Sequence, residues 1–587
     1  MYIASILGDS KTLEYATLII YFCFLLALGG IFSVLNKNLS DFARGGSQLT
    51  WWMVGTSMTM AGISAFTFTG NASAAFEAGP SLLIIYLANV LGYAAGALFL
   101  GPWYRQTRAY TSADVIRGRF GTPAEQFSIY LGLFLGPVVA AVQLWALAIF
   151  VSSVFGFSLL ATIIVIGTVC IVYSATGGAW AVVATDFVQG IVLFSITILV
   201  AILAWIEIGG ISGFTAHLGI PEISSSFKLI HSPGEFPADR FTWGWAVAIF
   251  TIQLMTQVHL SSANRYLAVK DGPEARKAAL LALVLMAFGS LIWFFPPMVA
   301  RMLYADQVFA LAMDDQATAS YAIAAVNLLP TGLMGVMIAA MFAATMSSLD
   351  TGLTAQASTL VRNLIPRFRE WLGYGPVPEK YEILLCRCLT VVLGSIIISL
   401  SILLSVQQRF ILFDAYYTIS SVIGLPTMLP LFAGILFRKL SSWSFFFIFG
   451  VSLIPSLYSV LLETSGNDPW TIQYRALWVL TFGASAILAS ALLNRYSSRA
   501  FQKRETEFFT RMLTPIDFNK EIGVHREGQQ ARILGTSISV MGGLLMTLAL
   551  VPNPFIDRLT ILLLATFVGA IGFCIRAAGL RHKTEQD

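Results

Sequence analysis

Long runs of apolar residues, separated by short polar stretches, make up most of this chain. A run of about 18 or more apolar residues with few charges is long enough to cross a bilayer as an α-helix. The sequence predicts fifteen such helices, at about 14–34, 50–78, 80–104, 127–155, 158–178, 183–208, 239–268, 274–305, 331–362, 383–406, 409–437, 441–463, 472–495, 528–551 and 555–577. Hydrocarbon cannot satisfy polar groups, so the polar residues inside these runs carry the information about function.

The most polar interruption is the stretch AATMSSLDTGL, in the ninth run. At helical spacing Ala344, Ser347, Ser348 and Thr351 share one face, and Asp350 borders that face. A carbonyl, hydroxyls and a carboxylate are hard oxygen ligands that suit a small cation. The alternative is that the hydroxyls bond to carbonyls one turn earlier and help the helices to pack. The added carboxylate favours the cation site.

A second interruption is the stretch YSATGGAWAVVATDFVQG, which starts at residue 173. Its glycine pair, Gly177 and Gly178, predicts the end of one helix. The next helix then carries Asp186 and Gln189 one turn apart, about two turns from its cytoplasmic end. Asp186 is a candidate cation ligand. The alternative is that its carboxylate reaches the membrane interface or pairs with an arginine of a loop.

The third interruption lies in the second run, where Gly62 stands at mid-span among serines and threonines. This pattern predicts a broken helix whose freed carbonyls line a cavity and can bind a cation. Close packing through small residues explains the same stretch equally well. Two further polar residues are weaker candidates: Glu77 falls at the outer end of its helix, and His259 is as typical of a structural histidine as of a ligand.

Composition and charge agree with a membrane protein. Of the 587 residues, 57% are hydrophobic and 11% charged, whereas a soluble domain carries about 25% charged residues. With the N-terminus outside, the inner loops hold 26 of the 35 Lys and Arg residues, and these loops are 35–49, 105–126, 265–277, 362–382, 438–440, 495–528 and 576–587. This is the positive-inside asymmetry, so the net charge of +4 reflects orientation and not nucleic-acid binding.

Several classes of protein are excluded by what the sequence lacks. There is no Gly-Lys pair, hence no Walker A loop, and no HExxH or GxSxG motif. The longest connections, at about 209–238 and 495–528, are too short for an independent catalytic domain. No set of nucleophile, base and metal ligands stands out. We therefore expect neither an ATP-driven protein nor an enzyme, and no organic cofactor.

Together these stretches resemble the solute:sodium symporter family, whose members carry sugars, proline, sialic acid, vitamins or iodide with sodium. The matching segments are YSATGGAWAVVATDFVQ at 173–189, AATMSSLD at 343–350, ISAFTFTG at 63–70, TSADVIRGRFG at 111–121 and RYLAVK at 265–270. The resemblance covers about residues 14–495. It implies an all-α integral membrane protein with the LeuT-like fold of the APC superfamily, in which five helices are followed by five more in inverted orientation.

The resemblance also implies a division of the chain. We expect a leading helix and inner loop (1–49), a first repeat (50–208), an outer loop (209–238), a second repeat (239–437), two further helices (438–495), a basic cytoplasmic loop (496–527) and a two-helix extension with a tail (528–587).

The family's sodium site implies five ligand positions here. The carbonyls of its broken first repeat helix match Met60 and Ile63. The eighth repeat helix supplies the carbonyl of Ala344 and the hydroxyls of Ser347 and Ser348.

Some family members bind a second sodium ion, at positions that match Asp186, Asp350 and Thr351. Those members carry hydroxyl residues where this chain has Asp350. This departure favours one sodium ion with a paired or titrating couple of acids over a second sodium ion.

The family's solute site matches less well. A tyrosine stands where sugar carriers have a glutamate, and Met255 stands where they have a gating tyrosine. No arginine or lysine falls at mid-span to receive a carboxylate, so the solute stays open among sugars, amino acids and carboxylates. The candidate solute-binding residues are Ser64, Thr67, Tyr86, Asn89, Gln253, Met255, His259 and Thr418.

The resemblance implies a sodium:solute symporter that imports a small polar organic solute by alternating access. Its partners would be sodium, the solute and the lipid bilayer, with no nucleic acid and no obligate protein partner. We place it in the plasma (inner) membrane, with the N-terminus outside and the C-terminus in the cytoplasm. Two alternatives stay open: a proton-coupled symporter of the same fold, and a transporter-like sensor that signals through 495–528.

Overall fold

The computed structural model describes residues 11–311, 315–406, 412–466, 470–523 and 526–584. Within these residues the chain is helical, apart from one isolated bridge between Leu49 and Val269. The helices of the first half are α1 (Lys11–Ser33), α2 (Leu39–Arg44), α3 (Trp51–Ala61), α4 (Gly70–Ala78), α5 (Leu83–Ala95), α6 (Gly101–Gln106), α7 (Ser112–Phe120), α8 (Thr122–Phe155), α9 (Leu159–Thr176), α10 (Ala179–Glu207), α11 (Gly210–Leu218), α12 (Pro221–Ser226), α13 (Trp243–Gln257) and α14 (Gly272–Leu303).

The second half continues in the same way. Its helices are α15 (Ala305–Phe309), α16 (Ser320–Leu328), α17 (Leu333–Thr359), α18 (Ile365–Trp371), α19 (Glu379–Val406), α20 (Leu412–Ile419), α21 (Leu425–Leu436), α22 (Ser444–Thr464), α23 (Ile472–Leu492), α24 (Arg499–Leu513), α25 (Phe518–Glu521), α26 (Glu527–Thr547) and α27 (Phe555–Thr584). Short 3₁₀ and π segments join several of them.

Twelve helical segments among the described residues are long and apolar enough to cross a membrane, and a bent pair, Trp243–Gln257 with Leu260–Ala268, makes 13. The sequence predicted fifteen. The predicted run 50–78 is broken, so α3 is too short on its own and α4 continues through α5 into one segment, Ala65–Gln106. The predicted run 158–178 corresponds to α9, whose 18 residues are near the shortest length that crosses a bilayer. Polar and glycine-rich breaks thus shorten helices that the hydropathy pattern merges.

The helix α17 forms the centre of the molecule. In its apolar window 94% of the residues are buried, against 28% for α1 and for α27 at the periphery. It packs against α10, α8, α3 and α1. Because α17 is surrounded by protein, its serines and its aspartate lie away from lipid, where polar groups can be satisfied.

The glycine pair between α9 and α10 allows a sharp turn between these two helices. Gly178 has φ +136°, and a Cβ there would lie 2.7 Å from Asn36 Nδ2. Asn36 in turn donates from Nδ2 to the Gly177 carbonyl at 3.2 Å. A side chain at residue 178 would be strained and would displace the amide that satisfies this turn. The glycine pair therefore determines where α10 begins, and so where Asp186 lies along it.

The C-terminal part of the chain packs on the rest in two places. The hairpin of α26 and α27 is closely paired, and both helices contact α10. The helix α24 packs against α6 and α7 through buried residues that include Phe508 and Phe509. Here the fully buried Arg119 of α7 pairs with Glu505 of α24, at 3.1 Å.

Arg119 is held by more than this ion pair. Its guanidinium donates to the carbonyls of Gly434 at 3.0 Å and Phe437 at 3.1 Å. Burial lowers the pKa of Arg119 to about 10, although Glu505 acts in the opposite direction, so the residue stays protonated at neutral pH. Burial likewise raises the pKa of Glu505. The charges attach α24 to the membrane-spanning part of the protein.

We expect Arg119→Met to destabilise the protein by about 3–5 kcal/mol, because it leaves the Glu505 carboxylate buried without its partner. A thermal unfolding curve of the purified protein in detergent measures this as a lower Tm. Lys503→Met on the same helix is the control, since the Lys503 side chain is 80% exposed. Equal Tm values for the two variants would contradict the assigned role of the ion pair.

Candidate functional site

The break between α3 and α4 places unpaired backbone groups at the centre of the protein. After Ala61 the chain leaves the helix at Gly62, and Ser64 caps a short 3₁₀ turn. A Cβ on Gly62 would lie 3.2 Å from the Tyr93 hydroxyl and 3.3 Å from Met286 Cε. A side chain at residue 62 would therefore displace Tyr93 or Met286 by a few tenths of an ångström, so the break lies at a closely packed position.

Residues of α17 satisfy this break from the other side. The Ser348 hydroxyl lies 2.7 Å from the Ile63 carbonyl oxygen, 3.4 Å from that of Ala61 and 3.3 Å from that of Ala344. Thr345 Oγ1 accepts the Ala65 N–H at 2.9 Å. Three carbonyls thus converge on one hydroxyl, which is the kind of oxygen cluster that can hold a small cation.

Met60 is placed differently from the other predicted sodium ligands. Its carbonyl accepts the Ile63 N–H at 3.2 Å and so takes part in the turn itself. Ala61, the next residue, presents the carbonyl that lies against Ser348. Ser347 is fully buried beside Asp186. The structure therefore brings Ile63, Ala344 and Ser348 together with Ala61, whereas Ser347 lies in the neighbouring cluster around Asp186.

A second polar cluster lies next to this one, around Asp186 and Asp350, which are both 1% exposed. Ser57 of α3 donates to Asp186 Oδ2. Ser174 of α9 donates to Asp350 Oδ1. Asp186 Oδ1 is buried and makes no hydrogen bond of normal geometry with a described residue. The two acids predicted to lie around one cation do lie in one buried cluster.

An arginine completes this acidic cluster. Arg265 Nη2 lies 3.2 Å from Asp186 Oδ2, and the same nitrogen donates to Thr351 Oγ1. Its side chain is 13% exposed. Asp186 thus pairs with an arginine, as one of the two interpretations of the sequence predicted. The sequence predicted no arginine or lysine at mid-span, and it did not foresee that Arg265, which follows the bend after α13, would contact Asp186.

A cavity of about 310 Å³ lies beside the helix break. Five of the predicted solute-binding residues line it: Ser64, Thr67, Tyr86, Asn89 and Gln253. The sequence did not identify several other polar residues of its wall: Asn71, Gln143, Thr256, Gln257, Ser262, Arg265, Tyr416 and Tyr417. Arg265 is the only charged residue among the described residues that line this cavity.

The polar side chains of the cavity include two hydrogen-bonded groups. Asn89 Oδ1 accepts from Gln253 Nε2 at 2.9 Å and from Gln257 Nε2 at 3.1 Å. Asn71 Nδ2 donates to the Tyr86 hydroxyl at 2.9 Å. The amide groups of Asn and Gln and the hydroxyls of Tyr can both donate hydrogen bonds to a hydroxylated ligand and accept them from it. The hydrogen bonds among these side chains also fix the direction in which each amide and hydroxyl points.

Three predicted solute-binding residues do not line the cavity. Met255 is buried on the opposite side of α13, since it lies about 200° around the helix from Gln253. His259 follows the end of α13, and its Nδ1 accepts the Ser261 N–H at 3.2 Å. Thr418 follows two tyrosines that do line the cavity, and its carbonyl accepts the Ser421 hydroxyl at 3.0 Å.

Two further cavities adjoin the central one. A cavity of about 360 Å³ shares Ala61 and Gln143 with it and reaches Ser348, which links the central cavity with the oxygen cluster at the break. A smaller cavity of about 30 Å³ lies on the other side of Arg265, toward the N-terminal end of α7 and the C-terminal end of α17. Arg265 is the one described residue that lines both the central and this smaller cavity.

Comparison with known proteins gives consistent matches. The family model described as "Sodium:solute symporter family" matches residues 42–443. The sodium/sialic acid symporter NanT of Aliivibrio fischeri is 25% identical over 469 residues, covering 78% of this chain and 88% of that protein. The sodium/glucose cotransporter 2 of Rattus norvegicus is 26% identical over 466 residues, covering 72% of this chain and 68% of that protein.

Solved structures share the fold. A substrate-bound, outward-open Na⁺-coupled sialic acid symporter superposes with a TM-score of 0.70 at 20% identity, covering 84% of this chain and 99% of that one. Mhp1, a nucleobase-cation-symport-1 family transporter with bromovinylhydantoin bound, gives a TM-score of 0.50 at 15% identity, covering 79% and 98%. The apolar spans make this chain a multi-pass membrane protein. With the family match extending over more than half of its length, the protein belongs to the sodium:solute symporter family and is a secondary active transporter that moves a small solute together with Na⁺.

Proposed function

We propose that this symporter imports an uncharged, hydroxylated solute, which binds in the central cavity, together with one Na⁺ ion at the break between α3 and α4. The observation that carries the proposal is the convergence of the Ala61, Ile63 and Ala344 carbonyls on the Ser348 hydroxyl. This convergence lies directly beside the cavity, so one ion can stabilise the backbone that forms the solute site.

The proposed ion site uses hard oxygen atoms. The carbonyls of Ile63 and Ala344 and the hydroxyls of Ser347 and Ser348 would be ligands, with Ala61 at or beside the position that the family match gives to Met60. A hydroxyl hydrogen that now points at a carbonyl can rotate away, so that its oxygen faces the ion. Bound Na⁺ would then hold α17 and the broken helix together.

The charges of the cavity support an uncharged solute. Its described lining residues include no carboxylate, and the single guanidinium is engaged by Asp186. The N–H groups at the start of the 3₁₀ turn are also engaged: Ala65 by Thr345 and Phe66 by Ser64. A carboxylate would therefore find no free counter-charge, whereas hydroxyls can bond to the amides and phenols. Sugars and cyclitols fit this description.

Arg265 supports a single sodium ion per cycle. It holds a fixed positive charge between Asp186 and Thr351, two of the three residues that match the second cation site of some family members. Two buried carboxylates without a nearby cation would repel each other. We propose that the guanidinium takes the place of the second ion. Because Arg265 separates the central cavity from the inner one, it would also have to move before the solute leaves inward.

Fold and topology complete the proposal. The similarity to the sialic acid symporter and Mhp1 structures supports a five-plus-five inverted repeat, with 50–208 and 239–437 as its halves. The distribution of Lys and Arg supports the plasma (inner) membrane, with the N-terminus outside and the C-terminus in the cytoplasm. Alternating access would then be a movement of helices around the fixed break.

The function itself is tested by counterflow in proteoliposomes. We expect labelled D-glucose or myo-inositol to exchange in Na⁺ and not in choline, while N-acetylneuraminate, which carries a carboxylate, does not exchange. Exchange of N-acetylneuraminate alone would contradict the uncharged-solute proposal. Uptake driven by an inward proton gradient and indifferent to Na⁺ would instead establish the proton-coupled alternative.

We expect Ser348→Ala and Ser347→Ala each to weaken Na⁺ activation of transport by about 5- to 150-fold, because each removes one ligand from an ion with few ligands. The measurement is the Na⁺ concentration that gives half-maximal uptake. Ser358→Ala is the matched control on the same helix, since its hydroxyl bonds to the Thr354 carbonyl at 2.7 Å. An unchanged Na⁺ dependence in both test variants would refute the ion site.

The role of Arg265 predicts a change in ion stoichiometry. We expect a Na⁺:solute ratio of about one from reversal potentials of the unaltered protein. The double variant Arg265→Gln with Asp350→Ser removes the guanidinium and restores a hydroxyl beside Asp186, so its ratio should approach two. Asp350→Ser alone is the control and should stay near one. A Na⁺:solute ratio near two in the unaltered protein would contradict the proposal of a single ion.

A further inference from the structure

A cavity of about 320 Å³ lies between the membrane-spanning part of the protein and its C-terminal helix α24, away from the transport site. Five arginines from three separate parts of the chain line it: Arg108, Arg117, Arg362, Arg504 and Arg511. Two carboxylates also line it, Asp114 and Glu507, so the described lining residues carry a net charge of +3. A concave surface with this charge attracts anions strongly.

Three of the arginines are held in place by neighbouring residues. Arg117 Nη2 and Arg362 Nε donate to the two oxygens of Asp114, at 3.0 Å and 2.9 Å. Arg108 binds Glu521 through Nε at 2.9 Å and through Nη2 at 2.8 Å. These contacts fix the direction of guanidinium groups that would otherwise be mobile. Fixed groups lose less entropy when they bind a ligand.

Both oxygens of the Asp114 carboxylate accept hydrogen bonds in this arrangement. It also accepts from Asn363 Nδ2 at 3.0 Å and from the Tyr110 N–H at 3.2 Å. Burial raises the pKa of Asp114, but the nearby charges of Arg362 and Arg117 outweigh it, and the pKa lies below its usual range. One carboxylate is thus shared by two guanidinium groups. Arg117 Nη1 also lies 3.7 Å from Glu125 Oε1, so two carboxylates, Asp114 and Glu125, face these two guanidinium groups.

The other two arginines come from α24 and have no such neutralising partner. Arg504, Phe508 and Arg511 lie at positions i, i+4 and i+7, on one face of the helix, and all three line the cavity. Within the described residues, neither Arg504 nor Arg511 pairs with a carboxylate. A guanidinium presents paired N–H donors that match the oxygens of a phosphate group.

From this arrangement we propose that the cavity is a binding site for a phosphate group, supplied by an anionic phospholipid headgroup or by a soluble phosphate compound. Arg108, Arg117 and Arg362 are paired with Glu521, Glu125 and Asp114, which leaves the guanidinium groups of Arg504 and Arg511 for a ligand. Two guanidinium groups suit a doubly charged tetrahedral anion better than a single carboxylate. The family match ends at residue 443, so two of the five arginines come from a part of the chain outside the matched region.

Such a ligand would regulate transport. It would connect α24 with α7 and with Arg362, which follows the helix that carries Ser347 and Ser348. Movement of the inner ends of α7 and α17 relative to each other would then require the ligand to release one wall of its cavity. Phosphate binding would therefore favour the conformation described here.

The test is direct binding of pyrophosphate to the full-length protein in neutral phosphatidylcholine nanodiscs, by calorimetry at constant ionic strength. Arg504→Gln with Arg511→Gln should weaken binding at least about tenfold, because two charge-assisted pairs of donors are lost. Arg499→Gln with Lys503→Gln removes the same charge from the same helix outside the cavity and should change binding less than about twofold.

A second experiment, thermal unfolding in nanodiscs, identifies the source of the phosphate group. Nanodiscs that contain phosphatidic acid should raise the Tm of the unaltered protein, and not that of Arg504→Gln with Arg511→Gln, if the ligand is a lipid. Pyrophosphate binding without this lipid effect indicates a soluble source. Glu507→Gln removes a lining carboxylate and should tighten whichever interaction is seen. The proposal is overturned if neither probe acts, or if both double variants respond equally.

Discussion

The rest of this structure depends on one constraint, the interruption of a membrane-spanning helix at Gly62. Each backbone group left unpaired inside a membrane costs several kcal/mol unless a partner satisfies it. Here the partners come from α17, which supplies Thr345 and Ser348, and from a capping turn begun by Ser64. The need to satisfy this break explains why the most buried of the apolar spans carries serines, threonines and an aspartate.

The same constraint links the ion with the solute. Carbonyls freed at the break face α17, whereas side chains of the following turn, Ser64 and Thr67, face the cavity. An ion that holds the carbonyls therefore orders the wall that the solute contacts. In a sodium:solute symporter this geometry lets each ligand raise the affinity for the other without direct contact between them.

The sequence alone predicted the parts of the site that follow from local patterns. A glycine among hydroxyl residues indicated the break, and helical spacing placed Ser347 and Ser348 on one face. The parts that it could not predict depend on tertiary bends. Arg265 was counted with an inner loop from its position along the chain, and a 50° bend brings it to Asp186. Met255 was aligned by motif, although helical rotation turns Gln253 and Gln257 to the cavity instead.

We propose that one Na⁺ ion binds at the break, while Arg265 stays beside Asp186 and Asp350. A high-resolution cryo-EM map of the protein in Na⁺, compared with one in choline, tests it most directly. We expect Na⁺-dependent density enclosed by the Ile63 and Ala344 carbonyls and the hydroxyls of Ser347 and Ser348, with Arg265 on Asp186 in both maps. Density between Asp186 and Asp350 with Arg265 displaced, and none at the break, would contradict it.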